Sequence, residues 1–150
     1  MLKTQLDQDL KTALMAGDRT LATTLRGLKS VILYAEVAKG SREEGLSDEE
    51  IIGLLSKEAK KRQESADLYK QGGNEERAQA ELAEKKVING YLPQQMSDDE
   101  LKQLVEEAVT ELGATSMQGM GQVIAAVKQK AGAQADGSRI AVIVKERLSQ

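Results

Sequence analysis

The sequence predicts an all-α protein: an N-terminal antiparallel bundle of about four helices, then a small C-terminal three-helix domain. Three observations carry this. Apolar residues recur at three- and four-residue spacing along almost the whole chain, the period of an amphipathic helix. One proline, Pro93, stands in 150 residues, and helix interiors tolerate few prolines. The core material is Leu, Ile, Val, Ala and Met, with no Phe or Trp and only three Tyr, a set that suits helix-on-helix layers.

Each element has its own signals. Leu2, Leu6, Leu10 and Leu14 form one stripe on a first helix, which Gly17 stops. Asp18 is placed to cap a second helix. That helix turns Leu21, Leu25, Leu28, Ile32 and Ala35 inward and ends near Gly40. Ser47 and Glu50 form a capping box ahead of Ile51 and Ile52, opening a third helix that runs toward Tyr69. Gly72-Gly73-Asn74 turns the chain into a fourth helix, roughly 75–90. Its Ala78, Leu82 and Ile88 face inward, and its Glu81, Glu84, Lys85 and Lys86 face outward.

Gly90 and Pro93 place a domain boundary: residues 1–90 as the bundle, 91–96 as a linker and 97–150 as the second domain. Ser97 and Glu100 are a further capping box. The helix they open, 98–112, carries Leu101, Leu104, Val105, Ala108 and Leu112 inward. Two short helices complete the domain. One covers about 117–131 with Met120, Val123, Ile124 and Val127 inward, the other 137–148 with Ile140, Ile143, Val144 and Leu148 inward.

Composition excludes several function classes. Without cysteine there is neither a disulfide nor a thiolate metal site. Without histidine, the commonest general base and the commonest transition-metal ligand are missing. No catalytic residue, cofactor site or metal site stands out. The carboxylates Asp98, Asp99 and Glu100 occupy the first turn of a helix, where they satisfy amide donors and the dipole. No apolar run resembles a signal peptide or a membrane span, so a soluble cytoplasmic protein is expected.

The net charge is −3, but it is unevenly placed. Residues 90–112 hold six acids and one base. Residues 113–150 hold five bases (Lys128, Lys130, Arg139, Lys145, Arg147) and two acids. Such a cationic tail either is ordinary surface or meets a phosphate backbone, where cations gain by releasing counterions. Lys57, Lys60, Lys61 and Arg62 on the third helix form a second, weaker candidate surface, partly neutralised by Glu58 and Glu64.

The glycine-rich stretch MQGMGQVIAAVKQKAGAQADGSR, 117–139, is the most distinctive. It lacks the order of a phosphate-binding loop, and no strand precedes it. Gly119 and Gly121 lie inside an apolar helical pattern and would let a neighbouring helix approach. Gly132 fits a helix C-cap and Asp136 the N-cap of the last helix, with Arg139 facing out. The stretch therefore reads as a joint between two helices. A helix N-terminus beside Lys128, Lys130 and Arg139 could also meet a nucleic-acid phosphate.

The ordered set Leu25-Arg26-Gly27-Leu28-Lys29-Ser30 with Glu36, Lys61-Arg62-Gln63-Glu64-Ser65 with Tyr69, Tyr91-Leu92-Pro93, Met120-Gly121-Gln122-Val123 and Ala135-Asp136-Gly137 resembles the YqeY family. The C-terminal domain of that family resembles the tail of the GatB subunit of tRNA-dependent amidotransferases. The resemblance implies an all-α, two-part fold and a non-catalytic module for tRNA, with amidotransferase subunits or an aminoacyl-tRNA synthetase as possible partners. It implies tRNA contact at Lys128, Lys130, Asp136, Gly137 and Arg139, and the charge of the tail adds Lys145 as a candidate contact. The alternatives it leaves are an amidotransferase component and a protein-interaction module. The family's label of carbon–nitrogen ligase with glutamine as amido-N-donor would then describe the complex, since this chain supplies no amidase, ATP or glutaminase site.

Overall fold

A computed structural model describes residues 1–150, and it contains seven α-helices and no strand. They are α1 Leu2–Met15, α2 Arg19–Lys39, α3 Asp48–Gln71, α4 Glu75–Asn89, α5 Asp98–Leu112, α6 Met120–Ala131 and α7 Gly137–Leu148. The chain divides into two compact units, Met1–Leu92 and Pro93–Gln150. Tyr91 and Leu92 pack on the first core and Met96 on the second.

The first unit is two antiparallel hairpins, α1/α2 and α3/α4. Cross-helix ion pairs report the direction of the first: Asp7 meets Lys29 at 2.5 Å while Lys3, one turn earlier, meets Glu36 at 2.7 Å. The hairpins share a core of Leu6, Leu25, Leu28, Ile32, Ile51, Leu55 and Ile88. The Tyr91 hydroxyl donates to Asp9 at 2.5 Å, tying the end of the unit back to α1. Burial, reinforced by that carboxylate, pushes the Tyr91 phenol far above its ordinary 10.

Local signals fix the helix ends. Asp18 accepts from the Leu21 amide, and both capping boxes form reciprocally. Gly40 and Gly113 end their helices in the left-handed conformation that glycine adopts freely. The leucine stripe of α1 is narrower than its spacing suggests. A four-residue step drifts about 40° on a helix of 3.6 residues per turn, so Leu6 is fully buried while Leu14 swings out to 50 % exposure and Ala13 packs in its place. Leu112 is turned outward in the same way at the end of α5, and Val109 takes the inner position.

The outward face assigned to α4 is corrected. Glu81 and Glu84 turn toward α3, where both flank Arg62, and Lys85 donates to Gln63 at 2.7 Å. Towards the far end of this hairpin the helices meet through Ala66 and Ala78, both wholly buried. Their small side chains let the backbones approach, and the polar groups along the flanks then pair across the gap.

The second unit has its own core, built from Leu101, Val105, Val123, Val127, Ile140 and Val144 with smaller neighbours. Arg139 meets Asp98, and Arg147 meets Glu106. Both pairs span 41 residues, so α5 and α7 run side by side in the same direction, with α6 returning the chain between them.

Candidate nucleic-acid interface

The joint between α6 and α7 is built from backbone geometry. The last turn of α6 carries Lys128 and Lys130, and Gly132 ends it at φ +56°, a conformation that disfavours any residue with a Cβ. A 3-10 turn over Gly132–Gln134 follows, and the Gln134 carbonyl accepts from the Met96 amide at 2.8 Å. Asp136 then caps α7, accepting from the Ser138 amide at 2.8 Å. A Cβ on Gly137 would lie 3.8 Å from the Lys128 amine, so that amine hangs over the first turn of α7.

The two glycines upstream behave differently from the sequence reading. Residues Met117–Gly119 form a 3-10 turn, and α6 begins at Met120, so Gly119 and Gly121 stand at the start of a helix and not inside one. Gly119 packs on Ala114, where a Cβ would come within 2.9 Å of the Ala114 methyl carbon. Gly121 has open space around its Cβ position, and no helix approaches there.

The structure divides the expected contact residues into three groups. Asp136 and Gly137 form the joint itself. Lys130 and Arg139 are held by α5: Lys130 meets Glu111 at 3.2 Å, and Arg139 donates to Asp98 at 2.8 Å and to the Met96 carbonyl at 2.9 Å. Arg139 is therefore half-buried against the start of α5, which corrects its outward assignment. Lys128 and Lys145 are exposed and make no ion pair.

Arg147, which the sequence reading counted only as charge, clasps Glu106 with two bonds of 2.6 and 2.9 Å. The cationic tail thus folds onto the acidic helix that precedes it, and three of its five bases face carboxylates of α5. Sequence reasoning had a signal for this, because the six acids of 90–112 sit beside the five bases of 113–150.

The Arg147 hydrogen bonds hold the Glu106 carboxyl below its ordinary 4.5. A carboxyl lowered in the folded state contributes stability that is present above 4.5 and is lost as pH falls through its folded value. Arg147→Gln is expected to return the Glu106 titration midpoint toward 4.5, read by NMR of the side-chain carboxyl carbon. An unchanged midpoint would mean the clasp does not persist in solution.

The weaker candidate surface on α3 also splits. Arg62 is enclosed by Glu58 at 3.4 Å, Glu84 at 2.7 Å and Glu81 at 3.8 Å, and Lys61 meets Glu58 at 3.2 Å. Lys57 and Lys60 are exposed without such partners. This set is not one cationic patch: Arg62 faces the inside of the hairpin.

Fold and joint define a two-unit helical protein whose second unit ends in a short helix–turn–helix. No helix is long and apolar enough to cross a membrane. The family model described as Yqey-like protein matches residues 3–148, and the chain belongs to the YqeY family. Among curated proteins it is similar to two named "Altered inheritance of mitochondria protein 41, mitochondrial". To that of Eremothecium gossypii it is 34% identical over 87 residues, covering 58% of this chain and 46% of that protein. To that of Clavispora lusitaniae it is 30% identical over 115 residues, covering 75% of this chain and 65% of that protein. The chain thus spans about half the length of the first relative. Both relatives are named as mitochondrial, whereas the sequence reading expected a cytoplasmic protein.

Proposed function

We propose that this protein is a cytoplasmic tRNA-binding module, accessory to an enzyme of tRNA aminoacylation or amidation, that reads shape and phosphate and not base sequence. The observation that carries the proposal is the α6–α7 joint, where the unpaired Lys128 amine hangs over the first turn of α7. A helix N-terminus with a cation beside it favours an anion. Lys145 stands eight residues beyond Gly137, about 12 Å along α7 at 1.5 Å per residue, and adds, on that helix, a second unpaired cation. The exposed pair of Lys130 with Glu111 is of the weak kind that a phosphate can displace.

The test is fluorescence anisotropy of the full chain with total tRNA across a salt series, with duplex DNA as control. Saturable binding that prefers tRNA and weakens with salt is expected. Lys128→Glu with Lys145→Glu should lower affinity by about tenfold or more and reduce the salt slope by about two, one for each lost phosphate contact. Absence of binding at low salt, or unchanged affinity in the double variant, would remove this reading.

A further inference from the structure

The outer face of α2 is unlike the other solvated faces of the molecule. Arg19, Thr23, Arg26, Ser30, Leu33 and Val37 follow helical spacing along one exposed side, and Tyr34 flanks its far end. Leu33, Tyr34 and Val37 are 44, 75 and 57 % exposed, a contiguous apolar patch on a single helix. The charge along this face has one sign. In all 21 residues of α2 the only carboxylate is Glu36, and it is turned inward at 1 % exposure, bonded to Lys3. Arg19 and Arg26 have no carboxylate partner. The solvent side of α2 therefore presents cations, hydroxyls and aliphatic carbon, and no negative charge.

A cavity of about 210 Å³ opens on the same face. Lys3, Lys29, Ser30, Ile32, Leu33 and Glu36 line it, and Ser30 and Leu33 join it to the apolar patch. Its size decides what it can hold. Pockets for cofactors and drug-sized ligands run from about 300 to 1,000 Å³, so this one admits a single side chain. Ile32 and Leu33 supply aliphatic lining, while the Lys3 and Lys29 amines are already paired, with Glu36 and Asp7.

We propose that the α2 face is a docking surface for an acidic amphipathic peptide segment of a partner protein. One large apolar side chain of that segment fills the cavity, and its carboxylates meet Arg26 and Arg19. Charge complementarity fixes the sign of the partner, since Lys29 and Lys39 already meet Asp7 and Glu50 while a basic or neutral segment would leave Arg19 and Arg26 unanswered. The cavity and the patch select a peptide over a nucleic acid, which has phosphates for the arginines but no aliphatic anchor for the pocket. A side chain anchored in a desolvated pocket, with arginines beside it, is a form in which a few residues carry most of an interface's energy. This surface lies in the first unit and does not depend on the tRNA reading of the second.

Selection of a random 16-residue peptide display library on the full chain tests the proposal. Enriched peptides should carry one or two Leu, Ile, Met or Phe residues among several Asp and Glu. Binding of the synthetic peptides should fall about tenfold or more with Leu33→Ser plus Val37→Ser, and again with Arg26→Glu. It should be unchanged with Val142→Ser, an exposed apolar residue of α7. Because all these positions are exposed, unchanged helical content and melting temperature separate lost binding from lost fold. Failure to enrich any sequence, enrichment of basic peptides, or indifference to the Leu33/Val37 variant would overturn it. So would an equal loss of tRNA affinity in the Arg26→Glu and Leu33/Val37 variants, which would make the face an RNA surface.

Discussion

Arg62→Met is expected to destabilise the first unit by about 2–3 kcal/mol, far more than any other cation of α3. Arg62 sits inside the α3/α4 hairpin with three carboxylates around it, and the nearest in sequence, Glu58, is itself buried. Its Nε lies 2.7 Å from Glu84 without the N–H aligned for a hydrogen bond, so the attraction there is of charge for charge. Removing one partner of a wholly buried pair costs about 3–5 kcal/mol, because the remaining charge is left uncompensated. Here Glu81 and Glu84 reach water and Lys61 still meets Glu58, which brings the figure down.

In a unit of this size about 2 kcal/mol lowers the melting temperature by roughly 10 °C. Lys57→Met and Lys60→Met, which remove exposed and unpartnered amines, should stay within about 0.5 kcal/mol. The decisive variant is the double replacement Arg62→Met with Glu58→Met, which should recover part of the loss because no buried charge is then stranded. If Arg62→Met were as stable as Lys57→Met and yet lost tRNA affinity, the arginine would face an outside phosphate and not the inside of the hairpin.

The same residue shows where sequence reading stops. The helix ends were legible because their causes are local: the side chains of Ser47, Ser97 and Asp18 bond amides within three residues, and the glycines at 40 and 113 adopt a backbone conformation other residues avoid. The inner positions of α6 and α7 were legible for a similar reason, since burial follows helical period. The partner of a surface charge has no such local cause. Arg139 finds Asp98 and Arg147 finds Glu106 across 41 residues, a distance set by how α5 and α7 align.

A cationic tail in the sequence can therefore be a nearly neutral face in the fold. Only part of the expected contact set is left free of carboxylates. Lys128 and Lys145 remain open, Arg139 and Lys130 are engaged, and the glycines at 119 and 121 belong to the start of α6. The α2 surface was missed because its signal is an absence, a solvated helical face with no acid on it, and such a face is recognisable only once Glu36 is known to point inward.

Leu101→Ala should unfold the second unit while leaving the first intact. Leu101 is fully buried at the start of α5, in a core built mainly from α5, α6 and α7 and wholly from residues of the second unit. Truncating a buried leucine costs about 2–5 kcal/mol through lost burial and the cavity left behind. Residues 93–150 form a unit small enough that its whole stability, at about 0.05–0.15 kcal/mol per residue, comes to roughly 3–9 kcal/mol. The substitution therefore removes much or all of what holds the unit folded.

Hydrogen exchange should find the amides of α5 to α7 unprotected and those of α1 to α4 still slow. A single loss of protection across all seven helices would mean that the two cores melt as one. The functional consequence follows the same line. If the α6–α7 joint binds tRNA, affinity disappears with the second unit, while peptides selected on the α2 face still bind. Retained tRNA affinity with α5 to α7 unprotected would move the nucleic-acid surface into the first unit, where Lys57 and Lys60 of the weaker candidate surface remain unpaired.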